Sequence, residues 1–159
     1  MATTASSIWV QLVSATIGTL GFAMIFRLHG RNLFCAAVGA FLTWGVYLVA
    51  FGAFAVPSYN RTKFLAAFAA SVAVAFYAQI MARVNKAPAT VFLASSAFPL
   101  IPGSNLYYMM YDIVMGDMTG FENNAITLLV TCLAMAFGFT IVETMNKYVF
   151  MAIERVRKK

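Results

Sequence analysis

Long apolar stretches separated by short polar clusters organise this chain of 159 residues. The first stretch covers residues 8–26 and closes on a basic turn, Arg27-Leu28-His29-Gly30-Arg31. A second covers 33–56 and ends at Pro57 and the polar loop Ser58-Tyr59-Asn60-Arg61; a third covers 64–81 and is followed by Arg83, Lys86 and Pro88. Residues 90–115 form the fourth, an acidic loop with Asp117 and Glu122 follows, and a last stretch at 125–145 runs into a basic tail at 146–159. About 17–25 apolar residues make a helix long enough to cross a bilayer. The pattern predicts an all-α polytopic membrane protein, a single transmembrane domain over 1–159 with about five transmembrane helices, the fourth broken at a Pro-x-x-Pro-Gly motif. Met1 to Ser7 carries no Lys or Arg and no convincing cleavage site follows, so the first stretch is expected to be a retained helix, not a signal peptide.

The break is the feature that sets the fourth stretch apart. From Thr90 to Ile101 the chain is largely apolar over 12 residues, about 18 Å of helix, or roughly half of a ~30 Å hydrocarbon core. Pro99 and Pro102 lack amide hydrogens and disfavour helical geometry in the residue before each. Gly103 readily takes positive φ, so the helix is expected to stop here. Ser104 or Asn105 is placed to cap a second helix through Met115. Unwound backbone at membrane depth is tolerated only where protein buries it or water lines it, so the break predicts a cavity or a helix junction. In transporters such half-helix ends hold the substrate.

A content of 62% hydrophobic and 10% charged residues excludes an ordinary soluble domain. The net charge of +6 does not point to nucleic acid, because Arg155, Arg157, Lys158 and Lys159 sit in the tail and most other basic residues flank apolar runs, where they set topology. If the broken stretch crosses, with the N-terminus outside and the C-terminus cytoplasmic, Arg27, Arg31, Arg83, Lys86, Lys147 and the four tail residues lie inside. Only Arg61 and Lys63 then lie outside, a split of nine to two. If it re-enters instead, four spans remain and the better orientation gives seven to four, so five spans are expected. Ala67, Ser71, Ala75 and Gln79 recur on one face of the third helix, as do Ala36, Gly39, Ala40 and Thr43 in the second; small residues let helices approach closely in lipid. Cys35 and Cys132 both fall inside expected spans, as small apolar fillers and not a disulfide framework.

Catalysis has no agents here. His29 is the sole histidine, and no paired histidines, metal-ligand spacing, Gly-rich phosphate loop or nucleophile-base set can be assembled, so neither enzyme activity nor a cofactor or metal is expected. The break offers a better site. A helix N-terminus at Gly103 to Leu106 presents amide hydrogens and partial positive charge, which suits a carboxylate, while the terminating carbonyls near Phe98 suit an ammonium or a cation. Ser95, Ser96, Pro99, Pro102, Gly103, Ser104, Asn105 and Tyr107 are the candidate substrate-binding residues. Asp112 is a candidate coupling-ion site, the alternative being that it joins a solvated outer cluster with Asp117 and Glu122.

Gly21-Phe22-Ala23-Met24-Ile25-Phe26 ahead of the basic turn, then Pro88-Ala89-Thr90-Val91-Phe92, then Pro99-Leu100-Ile101-Pro102-Gly103 with Tyr107 after it, resemble the small subunit of the split threonine/serine exporter (ThrE-like) family, YjjB type. The resemblance runs over nearly the whole chain; where some relatives carry an additional Pro-Gly, this chain has Ser95-Ser96-Ala97. It implies a multi-pass protein of the bacterial inner membrane in which each of two halves supplies about five helices. The larger half, of the YjjP type, would be a separate membrane subunit in a hetero-oligomer, self-assembly into a homo-oligomer being the other route to a pathway. Export of small carboxylates, threonine and serine or succinate-like dicarboxylates, driven by the proton motive force, is the implied activity. The alternative is a non-transporting membrane scaffold or assembly subunit in which the break is a packing kink.

Overall fold

The computed structural model describes residues 5–54 and 57–157. The end of the second predicted stretch, residues 55–56, and the tail residues Lys158 and Lys159 lie outside the described residues. The described chain is helical throughout: α1 (Ala5–Ile25), α2 (Arg31–Ala53), α3 (Tyr59–Asn85), α4 (Ala89–Ser96), a 3-10 turn (Phe98–Leu100), α5 (Gly103–Met115) and α6 (Met118–Arg157). Four helices, over Ser7–Ile25, Arg31–Ala53, Tyr59–Asn85 and Met118–Val149, are long and apolar enough to cross a membrane.

Local chemistry explains where the helices stop. α1, α3 and α5 each end on a residue in the left-handed region, Arg27, Lys86 and Gly116. In each, the next amide reaches back five residues: Leu28 to Ala23, Ala87 to Ala82 and Asp117 to Asp112, at 3.1, 3.1 and 2.9 Å. This is the Schellman arrangement, which satisfies carbonyls the helix end would orphan. Asp117 then caps α6, its Oδ1 accepting the Gly120 N–H at 3.0 Å. That cap carries α6 back to Met118, so Glu122, expected in a loop, is helical. α3 likewise begins at Tyr59, taking the expected polar loop into its first turn, where the Ser58 carbonyl accepts the Thr62 N–H at 3.1 Å.

Between α4 and α5 the helix is interrupted. Ile101 is extended (φ −60°, ψ 120°), as the residue before a proline prefers. Pro102 (φ −78°, ψ 53°) leads into α5. Two local expectations are corrected here. Ser104 and Asn105 do not cap α5, since its N-cap is Pro102 and no side chain bonds the first turn. Pro102 ends the extended stretch before either residue, and the Asn105 amide is bonded to other helices. Gly103 does not take positive φ; glycine does so at Gly30 and Gly116.

The three-dimensional arrangement turns on α3. It runs antiparallel to α2, with Tyr77 Oη donating to the Cys35 carbonyl at 2.6 Å, and parallel to α6. The parallel sense follows from three levels of contact: Asn60 with Thr127, Ser71 with the Ala134 carbonyl, and Gln79 with Asn146. Two parallel helices joined in sequence need a return path, and residues 86–117 supply it, from the Asn85 end of α3 to the Tyr59 end. The break sits half-way. Leu100, 5% exposed, packs with Ala70, Val74 and Ala97 against the centre of α3, flanked by Val46, Tyr47, Met135 and Phe139.

Both small-residue stripes lie in these contacts. Ala36, Ala40 and Thr43 on α2, and Ala67, Ser71 and Ala75 on α3, are buried. An added Cβ at Gly39 would fall 2.6 Å from Tyr77 Cε1 and 2.7 Å from Ser96 Cβ, so α2, α3 and α4 meet where only glycine fits. The backbone of α5 packs on α6, with Asn105 also reaching Lys63 of α3, and α5 buries none of its residues.

Candidate functional site

A cavity of about 160 Å³ opens beside the break. Four elements build it: Trp44 and Tyr47 from α2, Lys63 from α3, Thr131 from α6, and Pro99, Pro102, Ser104 and Asn105 from the break and the first turn of α5. An enclosed cavity of ~150 Å³ holds benzene, so this one suits a molecule of about that size. Toward the Tyr59 end of α3 lies a polar vestibule of about 350 Å³ lined by Tyr59, Asn60, Asn123, Asn124 and Thr127. Asn105 lines both spaces and forms the partition between them.

Lys63 is the charged residue of the inner cavity. It is half-buried, its Nζ donating to Asn105 Oδ1 at 3.4 Å and lying 4.9 Å from the centroid of the Tyr59 ring. Among the described residues it meets no carboxylate. One long hydrogen bond leaves most of an ammonium's three donors for the cavity. The first amides of α5 add to this polarity, because the N–H groups of Ser104 and Asn105 belong to a helical turn with no intrahelical acceptor. Trp44 contributes a buried Nε1–H with no partner among the described residues. A buried donor left unpaired costs about 1–3 kcal/mol, which an acceptor on a bound molecule would offset.

Asn105 also begins a chain of hydrogen bonds leading away from the cavity. Its Nδ2 donates to Asn124 Oδ1 at 3.3 Å, and Asn124 Nδ2 donates to Asp112 Oδ2 at 2.8 Å. Every link from Lys63 to Asp112 therefore points its donor toward the carboxylate.

Residues 11–145 match the family described as Threonine/Serine exporter, ThrE. The chain belongs to this family. No curated protein and no solved structure matches it. Membership of the ThrE family indicates transport of the threonine/serine-exporter type, and with four apolar helices of spanning length the protein is membrane-embedded.

The residues singled out in the sequence of this ThrE family member divide in the structure. Pro99, Pro102, Ser104 and Asn105 line the cavity. Ser95 and Ser96 are fully buried on α4 and do not line the cavity: Ser95 bonds the Val91 carbonyl of its own helix at 2.7 Å, and Ser96 bonds the Ala36 carbonyl of α2 at 3.4 Å. Gly103 opens α5 with nothing within 4 Å of a Cβ built there. Tyr107 is 65% exposed, stacked on Tyr111 along the outer face of α5. Asp112 is half-buried against α6 and bonded to Asn124. Among the described residues no group of three His, Cys, Asp or Glu is placed to hold a metal.

Sequence reasoning missed Lys63, Trp44, Tyr47 and Thr131. Lys63 appears there only as an outer basic residue. A signal was present: the four-residue ladder Ala67, Ser71, Ala75, Gln79, extended one step toward the N-terminus, lands on Lys63 and puts it on the packed face of α3.

Proposed function

We propose that this chain is one membrane half of a two-component secondary exporter of small carboxylates, threonine and serine or succinate-like dicarboxylates, and that the cavity at the break is its substrate seat. The observation that carries this reading is Lys63, a half-buried cation lining a cavity of ligand size with no carboxylate beside it among the described residues. A half-buried cation bonded only to an amide oxygen and an aromatic ring suits an anionic cargo. The substrate carboxylate sits between Lys63 Nζ and the α5 amides of Ser104 and Asn105.

The broken segment acts as a fifth crossing, since it returns the chain between the parallel helices α3 and α6. With the N-terminus outside a bacterial inner membrane, the vestibule opens outward. Single cysteines in a background lacking Cys35 and Cys132 test this. Asp117→Cys is expected to react with a membrane-impermeant maleimide added to intact cells and Lys86→Cys to react only after the cells are opened; equal labelling of both from outside would mean a re-entrant segment and four spans.

Five helices make a thin wall for a pathway, so a larger ThrE-like subunit of the YjjP type is the proposed partner. Labelled threonine, serine and succinate are loaded into cells lacking their own exporters, with this chain expressed alone or with the larger subunit. Efflux only with the partner is the expected result. Efflux from this chain alone would replace the two-component reading with a homo-oligomer, and no efflux from a confirmed complex would leave the scaffold reading.

A further inference from the structure

We infer that Asp112 is a proton site linked to the carboxylate seat through the amides of Asn124 and Asn105, an inference that rests on the seat proposed above. The geometry is a directional chain. Lys63 Nζ donates to Asn105, Asn105 to Asn124, and Asn124 to Asp112, at 3.4, 3.3 and 2.8 Å. Each side-chain amide has one acceptor oxygen and one donor nitrogen, so the orientation of one fixes that of the next. With Asp112 ionised, both amides are drawn toward the carboxylate, and the Asn105 oxygen that faces Lys63 competes with an incoming carboxylate. When Asp112 takes a proton, its negative charge is lost and its new O–H becomes a donor. That donor favours reversal of both amides, which turns the Asn105 NH2 toward the cavity in place of its oxygen. Lys63 then loses its acceptor, and a bound carboxylate gains a donor. Proton and carboxylate therefore bind together, a co-transport linkage in which export through this seat runs down the carboxylate's own outward gradient and not on the inward proton motive force that the family resemblance implies.

Other titratable groups around the two ends do not supply the same link. Beside Asp112, α5 packs on α6, where Glu122 is exposed; the exposed Asp117 bonds the Gly120 N–H through Oδ1 and its carboxylate converges with that of Asp112 over Gly120, but among the described residues it has no hydrogen bond to Asn124 or Asn105. Tyr108 and Tyr111 lie on α5 itself, exposed. Around Lys63 stand Tyr59 and the exposed Arg61 on α3 and Tyr47 on α2.

The test is equilibrium binding of labelled threonine to the purified complex, or to this chain alone if it binds threonine by itself, from about pH 8 to about pH 4, a range that takes in ordinary carboxylate titration. Threonine suits the test because its own carboxylate stays ionised throughout. Removing a unit charge three hydrogen bonds from the seat changes affinity on the order of tenfold at an effective dielectric of ~20. Wild-type binding is expected to tighten by about that factor on acidification. Asp112→Asn is expected to bind at the acid-state strength at both ends of the range, with a flat profile. Asn124→Leu keeps the carboxylate but cuts the chain, and is expected to shrink the pH response to the direct Coulombic part, below the wild-type change. Glu122→Gln retains the wild-type profile. A wild-type profile preserved in Asp112→Asn, or lost in Glu122→Gln, overturns the link and leaves the seat standing. Undiminished threonine binding by Lys63→Gln overturns the seat and, with it, the link.

Discussion

Substituting Lys63 by glutamine is expected to reduce efflux through the complex by roughly ten- to hundredfold, the equivalent of one hydrogen bond to a charged group of about 1.5–3 kcal/mol. The ammonium faces the cavity, bonds only the Asn105 oxygen and the Tyr59 ring, and meets no carboxylate among the described residues. Its removal therefore strands no buried anion, and the protein is not expected to lose stability. That sign separates a binding role from a packing role: a buried ion pair broken on one side destabilises strongly, whereas this change leaves the fold intact. Lys63→Arg keeps the charge but brings a planar fork too large for a point-charge seat, so intermediate efflux is expected. The measurement is initial efflux rate of labelled substrate, with complex recovery by size-exclusion chromatography as the control. Wild-type efflux by Lys63→Gln in an intact complex would remove Lys63 from the substrate path.

The largest effect on stability is expected at Gly138, where α6 crosses α3. A Cβ there would lie 2.9 Å from Ser71 Cβ and 3.2 Å from the Val72 amide nitrogen, and would overlap Ser71 Oγ. The obstacle is backbone and a short buried side chain, so neither can swing aside. Gly138→Leu forces apart the two helices whose parallel packing makes the broken segment a return path. Overpacking of about 3 kcal/mol corresponds to a loss of roughly 5–10 °C in thermal unfolding in detergent. Gly52→Ala is the contrast, because nothing lies within 4 Å of its added methyl. There the change is expected to be neutral or slightly stabilising, since alanine in a helix loses less backbone entropy than glycine. Ser71→Gly should partly restore Gly138→Ala by vacating the overlapped space. Equal stability of Gly138→Leu and wild type would mean that α3 and α6 do not pack through this point.

Features set by neighbouring residues were legible in the chain. The apolar lengths gave the spanning helices, and the prolines located an interruption, because a missing amide hydrogen and a restricted φ act within a residue or two. Helix boundaries were less legible. Asp117 caps α6 and draws Glu122 into it, and Pro102 takes the N-cap position expected of Ser104 or Asn105. Half the candidate site could be read as well, since Pro99, Pro102, Ser104 and Asn105 lie in the break itself.

The other half depends on which helix lies against which. Lys63 and Asn105 are 42 residues apart in the chain, Trp44 and Thr131 farther still, and nothing local brings them together. Ser95 and Ser96 adjoin the break in sequence, but Ser96 is directed into the α2 contact and the hydroxyl of Ser95 turns back onto its own helix. The apolar pattern by itself determined that the chain makes helices long enough to cross a membrane, and the prolines that a further helical stretch is interrupted, because burial of apolar surface and backbone hydrogen bonding are dictated residue by residue. The close approach of small residues between α2, α3, α4 and α6 is a property of pairs of surfaces, and it decided that the broken end faces a cation across a cavity.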